Sequence, residues 1–144
     1  MPEEMPVEFW QAIDQFNQGQ FYECHDTLEA LWMDAIDPQR RFYQGILQIA
    51  VACYHLYNSN PRGAVILLGE GIARLKDYQP IYGGIEVTPL LTQAAALLSI
   101  LQQTNLAQST QSGTSSIETS SVVAASQDIR LPQIQKAAEI QAAD

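Results

Sequence analysis

Apolar side chains recur every three or four positions through most of the first hundred residues, the period of helices that bury one face. Between about 20 and 35, Phe21, Cys24, Leu28, Leu31 and Ala35 share one side, with Glu23, Thr27, Ala30 and Asp34 opposite. That pattern predicts an amphipathic helix with one wet flank. The next run, Phe42 to Tyr57, is apolar almost all round and reads as the central helix that the others surround. Asp37-Pro38, Asn60-Pro61 and Thr88-Pro89 each place a capping side chain before a proline. The cap accepts a free N–H, and proline at the first helical position gives up a donor that would be orphaned anyway. Helices are therefore expected at about 38–57, 61–77 and 89–103. Pro6 opens an earlier one running to about 18, and Asn17-Gln18-Gly19 turns the chain into the helix at 20–35. Five helices on short connections predict an all-α, compact bundle in antiparallel hairpins.

Two stretches break the helical period. Residues 78–88 carry large apolar side chains around Gly83-Gly84, which suits a loop with a turn that packs down on the helices. From Thr104 the chain turns to Gln, Ser and Thr, too poor in large apolar groups to offset the entropy of ordering. The expected organisation is a bundle domain over 1–103, a disordered low-complexity linker over 104–127, and a short tail over 128–144, helical from Pro132 if ordered. Gly63, Gly69 and Gly71 within one predicted helix imply close approach to a neighbour or a bend.

Charge narrows the function classes. The chain carries a formal charge of -9, of which residues 1–103 hold 12 acidic against 5 basic side chains. Such a surface repels phosphate backbones, and Arg40-Arg41 is too short a basic run to reverse it, so nucleic acid is not the expected partner. No apolar run approaches the roughly 20 residues of a spanning helix. An acidic start, Met1-Pro2-Glu3-Glu4, is unlike a secretory signal, so the expected location is the cytoplasm. Cys24 and Cys53 form no C-x-x-C pair and fall on apolar segments, where a small core residue is the simplest reading.

The chemistry-bearing residues fall on two stripes. On the second helix His25, Glu29 and Trp32 lie on one side, at spacings of four and three. On the third, Gln44, Gln48 and His55 occupy a narrow arc and are nearly its only polar groups. If the two helices pack as a hairpin, the stripes meet in one enclosed polar cluster. Three readings follow: a hydrogen-bond network fixing helix register, a site for a small polar ligand or peptide walled by Trp32 and tyrosines, and a metal centre using His25, Glu29 and His55. Against the last, His25-Asp26-Thr27-Leu28-Glu29 lacks the general-base glutamate and second histidine of H-E-x-x-H. No Walker loop, G-x-S-x-G or G-x-G-x-x-G is present.

Specific motifs run through the same region. Phe16-Asn17-Gln18-Gly19-Gln20-Phe21-Tyr22-Glu23-Cys24-His25-Asp26-Thr27-Leu28-Glu29-Ala30-Leu31-Trp32, then Arg41 through Ala50, and His55 through Ala64, resemble the bacterial family known as domain of unknown function 309. The resemblance extends over roughly residues 8–90. It implies a compact helical bundle and implicates His25, Glu29, Trp32, Gln44, Gln48 and His55 without assigning them a reaction. Asp26 stands where the family pattern leads one to expect Glu, which weakens any mechanism needing that acid. The resulting expectation is a binding or interaction module with no cofactor, for a protein or small-molecule partner, with self-association left open. The alternative is a metal-dependent hydrolase holding a divalent ion on His25, Glu29 and His55.

Overall fold

A computed structural model describes residues 5–110 and 130–137 of the chain. Among these, five α-helices follow in order: α1 (Val7–Asn17), α2 (Phe21–Asp34), α3 (Gln39–Tyr57), α4 (Pro61–Leu75) and α5 (Val87–Thr110). A 3-10 turn at Lys76–Tyr78 and a hairpin of β1 (Ile81–Tyr82) and β2 (Ile85–Glu86) connect α4 to α5. Each of the first three helices packs on the next along the chain, and α4 packs on α5. Helix α3 is the centre, as its apolar circumference predicts: Phe42, Tyr43, Gly45, Ile46, Gln48, Ile49, Ala50, Ala52 and Cys53 are all buried. They join Phe9, Phe16, Leu28, Leu68, Ile85 and Leu97 in one continuous core.

The helix ends follow from local chemistry. At the end of α1, Gly19 adopts φ 80°, and the Gly19 and Gln20 N–H groups donate back to the carbonyls of Phe16 and Gln15. The end of α3 repeats the device with Ser59 at φ 59°: Ser59 and Asn60 donate to Leu56 and His55. Both are left-handed C-caps that satisfy the last carbonyls and turn the chain sharply. Asn60 then caps α4, its Oδ1 accepting the Gly63 N–H at 3.1 Å, with Pro61 in the first turn as expected. Asp37 Oδ1 accepts the Arg41 N–H at 3.0 Å, but α3 starts at Gln39, one residue later than expected, with Pro38 rather than Asp37 at its N-cap position.

Gly71 explains the close approach of α3 and α4. A Cβ there would sit 2.7 Å from Ile49 Cγ1 and 2.9 Å from the Gly45 carbonyl oxygen. Gly69, by contrast, faces open space and is not required by packing.

Three expectations need correction. Thr88 does not cap α5, which starts at Val87; the first-turn N–H groups of Val87 and Thr88 are taken instead by the Pro80 carbonyl. At its other end α5 continues to Thr110, past the boundary read at Gln103, because glutamine and alanine sustain a helix that Leu101 already anchors in the core. The loop at 78–88 does pack down, but as a hairpin whose Gly83-Gly84 turn has φ 59° and 80°. Positive φ at both turn residues matches the strand twist, and glycine bears it without strain. The third correction is the tail. Residues 130–137 are extended rather than helical, and Ile134 is buried against the bundle. Residues 111–129, most of the expected linker, and 138–144 lie outside the described residues. Among the described residues no helix is long and apolar enough to cross a membrane.

Candidate functional site

Helical spacing places Glu29 and Trp32 one turn apart on α2, and Gln44, Leu47, Gln48 and Val51 along one side of α3. With Leu67 of α4 they line a cavity of about 310 Å³. The walls are mostly apolar, and the polar groups are few: one carboxylate, two amides and the indole N–H. Trp32 is held by Arg40, whose guanidinium lies 3.9 Å from the ring centroid and whose Nε donates to the Trp32 carbonyl at 3.2 Å. A cation over the indole face and a bond to its own backbone fix the ring without occupying its edge.

That edge is the unusual feature. Trp32 Nε1 is buried and has no hydrogen-bond partner among the described residues. Buried donors are normally paired, and an orphan costs roughly 1–3 kcal/mol. Gln44 likewise makes no hydrogen bond among the described residues. Gln48 is different: its Nε2 donates to Glu70 Oε1 at 3.0 Å and its Oε1 accepts from Arg74 at 3.4 Å. The amide that looked like part of an α2–α3 network is tied to α4.

The expected single cluster is therefore divided. Glu29, Trp32, Gln44 and Gln48 share the cavity. His25 sits at the half-exposed margin, Nδ1 3.2 Å from Asp26 Oδ1 and Nε2 3.7 Å from Glu29 Oε1. His55 is elsewhere, at the α3–α4 turn, with Nδ1 3.3 Å from Asn60 Nδ2. The donor set His25, Glu29 and His55 is thus not assembled. The group that does assemble is His25, Asp26 and Glu29, with donor atoms within 4.8 Å of one another. Asp26, placed on the outward side from sequence, turns back to meet the imidazole. The two carboxylates stand on opposite sides of one ring: Asp26 is within hydrogen-bond distance of Nδ1, while Glu29 at 3.7 Å from Nε2 is not.

Sequence reasoning missed Glu70, Arg74 and Leu67. Glu70 and Arg74 stand one turn apart on α4, a spacing visible in the chain, but nothing in it shows that Gln48 lies between them. The cysteines are as expected: Cys24 and Cys53 are free and buried, and burial pushes both thiols up to about 12, with Cys53 adding to the effect on Cys24. Neither is a nucleophile at neutral pH.

A small helical bundle with a cavity on its central helix is the class that fold and site define. The family model described as domain of unknown function (DUF309) matches residues 9–67, a shorter stretch than the motifs suggested. It takes in α1 to α3 and the first half of α4, hence all seven cavity-lining residues, and leaves out Glu70, Arg74, the hairpin, α5 and the tail. The chain is similar to the uncharacterised protein YpuF of Bacillus subtilis (strain 168), 37% identical over 59 residues. That alignment covers 39% of this chain and 33% of YpuF, so the chain spans about a third of that relative's length. Neither description assigns an activity.

Proposed function

We propose that this protein is a binding module whose cavity between α2, α3 and α4 takes a small amphipathic ligand. The observation that carries the reading is the cavity itself, where Trp32, whose indole N–H is buried without a partner among the described residues, stands beside Glu29, Gln44 and Gln48. At about 310 Å³ the cavity is at the small end of ligand pockets, and its make-up, apolar walls with a few converging polar groups, is theirs. Complementarity then defines the ligand: an apolar body against Trp32, Leu47, Val51 and Leu67, a carbonyl-type acceptor for the indole N–H, and an ammonium or N–H group for Glu29. Gln44 supplies a second adaptable amide. A ligand in this site needs no cofactor.

Leucinamide carries all three features and is a suitable first probe. Saturating leucinamide is expected to raise the melting temperature of the full chain, and Glu29→Gln to weaken that response about tenfold. Glu29 is half-exposed and makes no short hydrogen bond, so the same variant should melt within about 0.5 kcal/mol of wild type. Equal stabilisation of wild type and variant, or none of either, would contradict the assignment. The competing reading, a divalent ion at His25, Asp26 and Glu29, predicts instead that zinc or manganese stabilises the protein and that His25→Ala abolishes the effect.

A further inference from the structure

A second site, sharing no residue with the cavity, is built where α1 ends beside the hairpin. Residues 131–137 return across it as an extended strand. Asn17, the last residue of α1, reads this strand with both ends of its amide: Nδ2 donates to the Ile134 carbonyl at 2.8 Å, and Oδ1 accepts the Ile134 N–H at 2.8 Å. Gln93 Oε1 accepts the Gln133 N–H at 2.9 Å. The free edge of β2 completes the pairing, with Glu86 N–H donating to the Gln135 carbonyl and Ala137 N–H to the Gly84 carbonyl. Five main-chain groups are thus held by groups that any extended segment would satisfy equally.

Side-chain selection is confined to a few positions. Pro132 and Ile134 are buried, while Gln133 and Gln135 face outward. Lys136 Nζ lies 5.1 Å from the Trp10 ring centroid, and that indole is walled on another side by Gly84, where a Cβ would come within 3.0 Å. Backbone pairing at a sheet edge for affinity, with pockets for alternate side chains for choice, is how strand-addition sites recognise peptides. The occupant lies 117 positions along the chain from Asn17, and no disulfide ties it there, since both cysteines are free.

We propose that this seat is a recognition groove for extended peptides and that residues 131–137 are the occupant it carries in cis. Its external ligand is an extended segment of another polypeptide with the same pattern: an aliphatic residue followed by proline, a second aliphatic residue two positions after the proline, and a lysine or arginine two further on. Tethering gives the resident segment an effective concentration of about millimolar order, so an outside peptide gains the groove when the resident is displaced. The proposal is independent of the cavity reading.

The probe is a fluorescein-labelled synthetic peptide with the sequence of residues 130–138, and the readout is anisotropy against full-length protein. Ile134→Asp should vacate the seat, so that this variant binds the peptide at least tenfold more tightly than wild type; adding Asn17→Ala should remove that binding. Should Ile134→Asp fail to fold, isotopically labelled wild-type chain with excess unlabelled peptide replaces it. The Ile134 amide resonance is then expected to move saturably to a released position while the Asn17 side-chain amide stays bonded. Neither variant nor wild type taking up the peptide at millimolar concentration would overturn the proposal. So would equal binding of a scrambled peptide, or tail exchange seen only as mixed dimers of full chains with no uptake of free peptide.

Discussion

The cavity on α3 and the seat at the end of α1 treat their polar groups in opposite ways. In the seat, Asn17, Gln93 and the β2 edge each meet a partner at 2.8–2.9 Å. In the cavity, the Trp32 indole N–H is buried with no partner among the described residues, and the half-buried Gln44 side chain makes no hydrogen bond among them. The same chain pairs one surface with its own backbone and leaves side-chain groups at the other without a protein partner among the described residues. The main-chain groups of the seat are all paired, whereas two buried side-chain donors, Trp32 Nε1 and Arg74 Nε of α4, have no partner among the described residues. The contrast also separates roles by stability: filling the seat contributes to the fold, whereas the open donor detracts from it.

Both regions hang on the same core, and the largest expected effect removes that support. Native Cys24 and Cys53 hold their protons up to about pH 12, while unfolded thiols ionise near 9. Their contribution is full below pH 9 and falls as pH rises through 12, because the unfolded state there binds fewer protons. Burial shifts Tyr43 and Tyr78 the same way. Denaturation midpoints should therefore drop steeply above pH 9, less so in a Cys24→Ala, Cys53→Ala double variant. The native thiols should also stay unreactive to alkylation at pH 8.

Next in size is the α3–α4 contact that holds Gln48 with Glu70. Gly71→Ala should cost about 3 kcal/mol, since the new methyl meets a backbone oxygen that cannot yield. Asn17→Ala should cost about 2 kcal/mol by leaving the Ile134 N–H and carbonyl unpaired, without altering the cavity. Gly69→Ala, only two positions from Gly71, should do the reverse and stabilise by up to about 1 kcal/mol through helix propensity alone. Urea denaturation of each variant measures all three, and a loss at Gly69 would mean that α4 packs differently from this description.

Much of this was legible in the chain, and the divide follows range. The cap at Asn60, the turn at Gly19 and the central place of α3 rest on spacing and local geometry, which a sequence displays. Four of the six candidate residues, Glu29, Trp32, Gln44 and Gln48, read from helix faces, line one cavity. What escaped depends on contacts between distant elements. Gln48 turns to Glu70 and Arg74 rather than to His25, and His55 is drawn to Asn60 by the turn that follows it. The tail from Pro132 onward reads as helical if ordered because proline can start a helix, but a short helix with no tertiary partner is marginal in water. Asn17 and the β2 edge offer an extended backbone more.

The open donor at Trp32 is the point on which the cavity reading turns, and its indole N–H resonance reports it directly. With two tryptophans in the chain, Trp32→Phe assigns the signal by its disappearance. The account predicts that leucinamide shifts the Trp32 indole proton downfield in a saturable way, leaves Trp10 unmoved, and does so far more weakly in Glu29→Gln. A Trp32 indole proton that stays fixed at saturating probe while Trp10 or the exposed surface responds would contradict it.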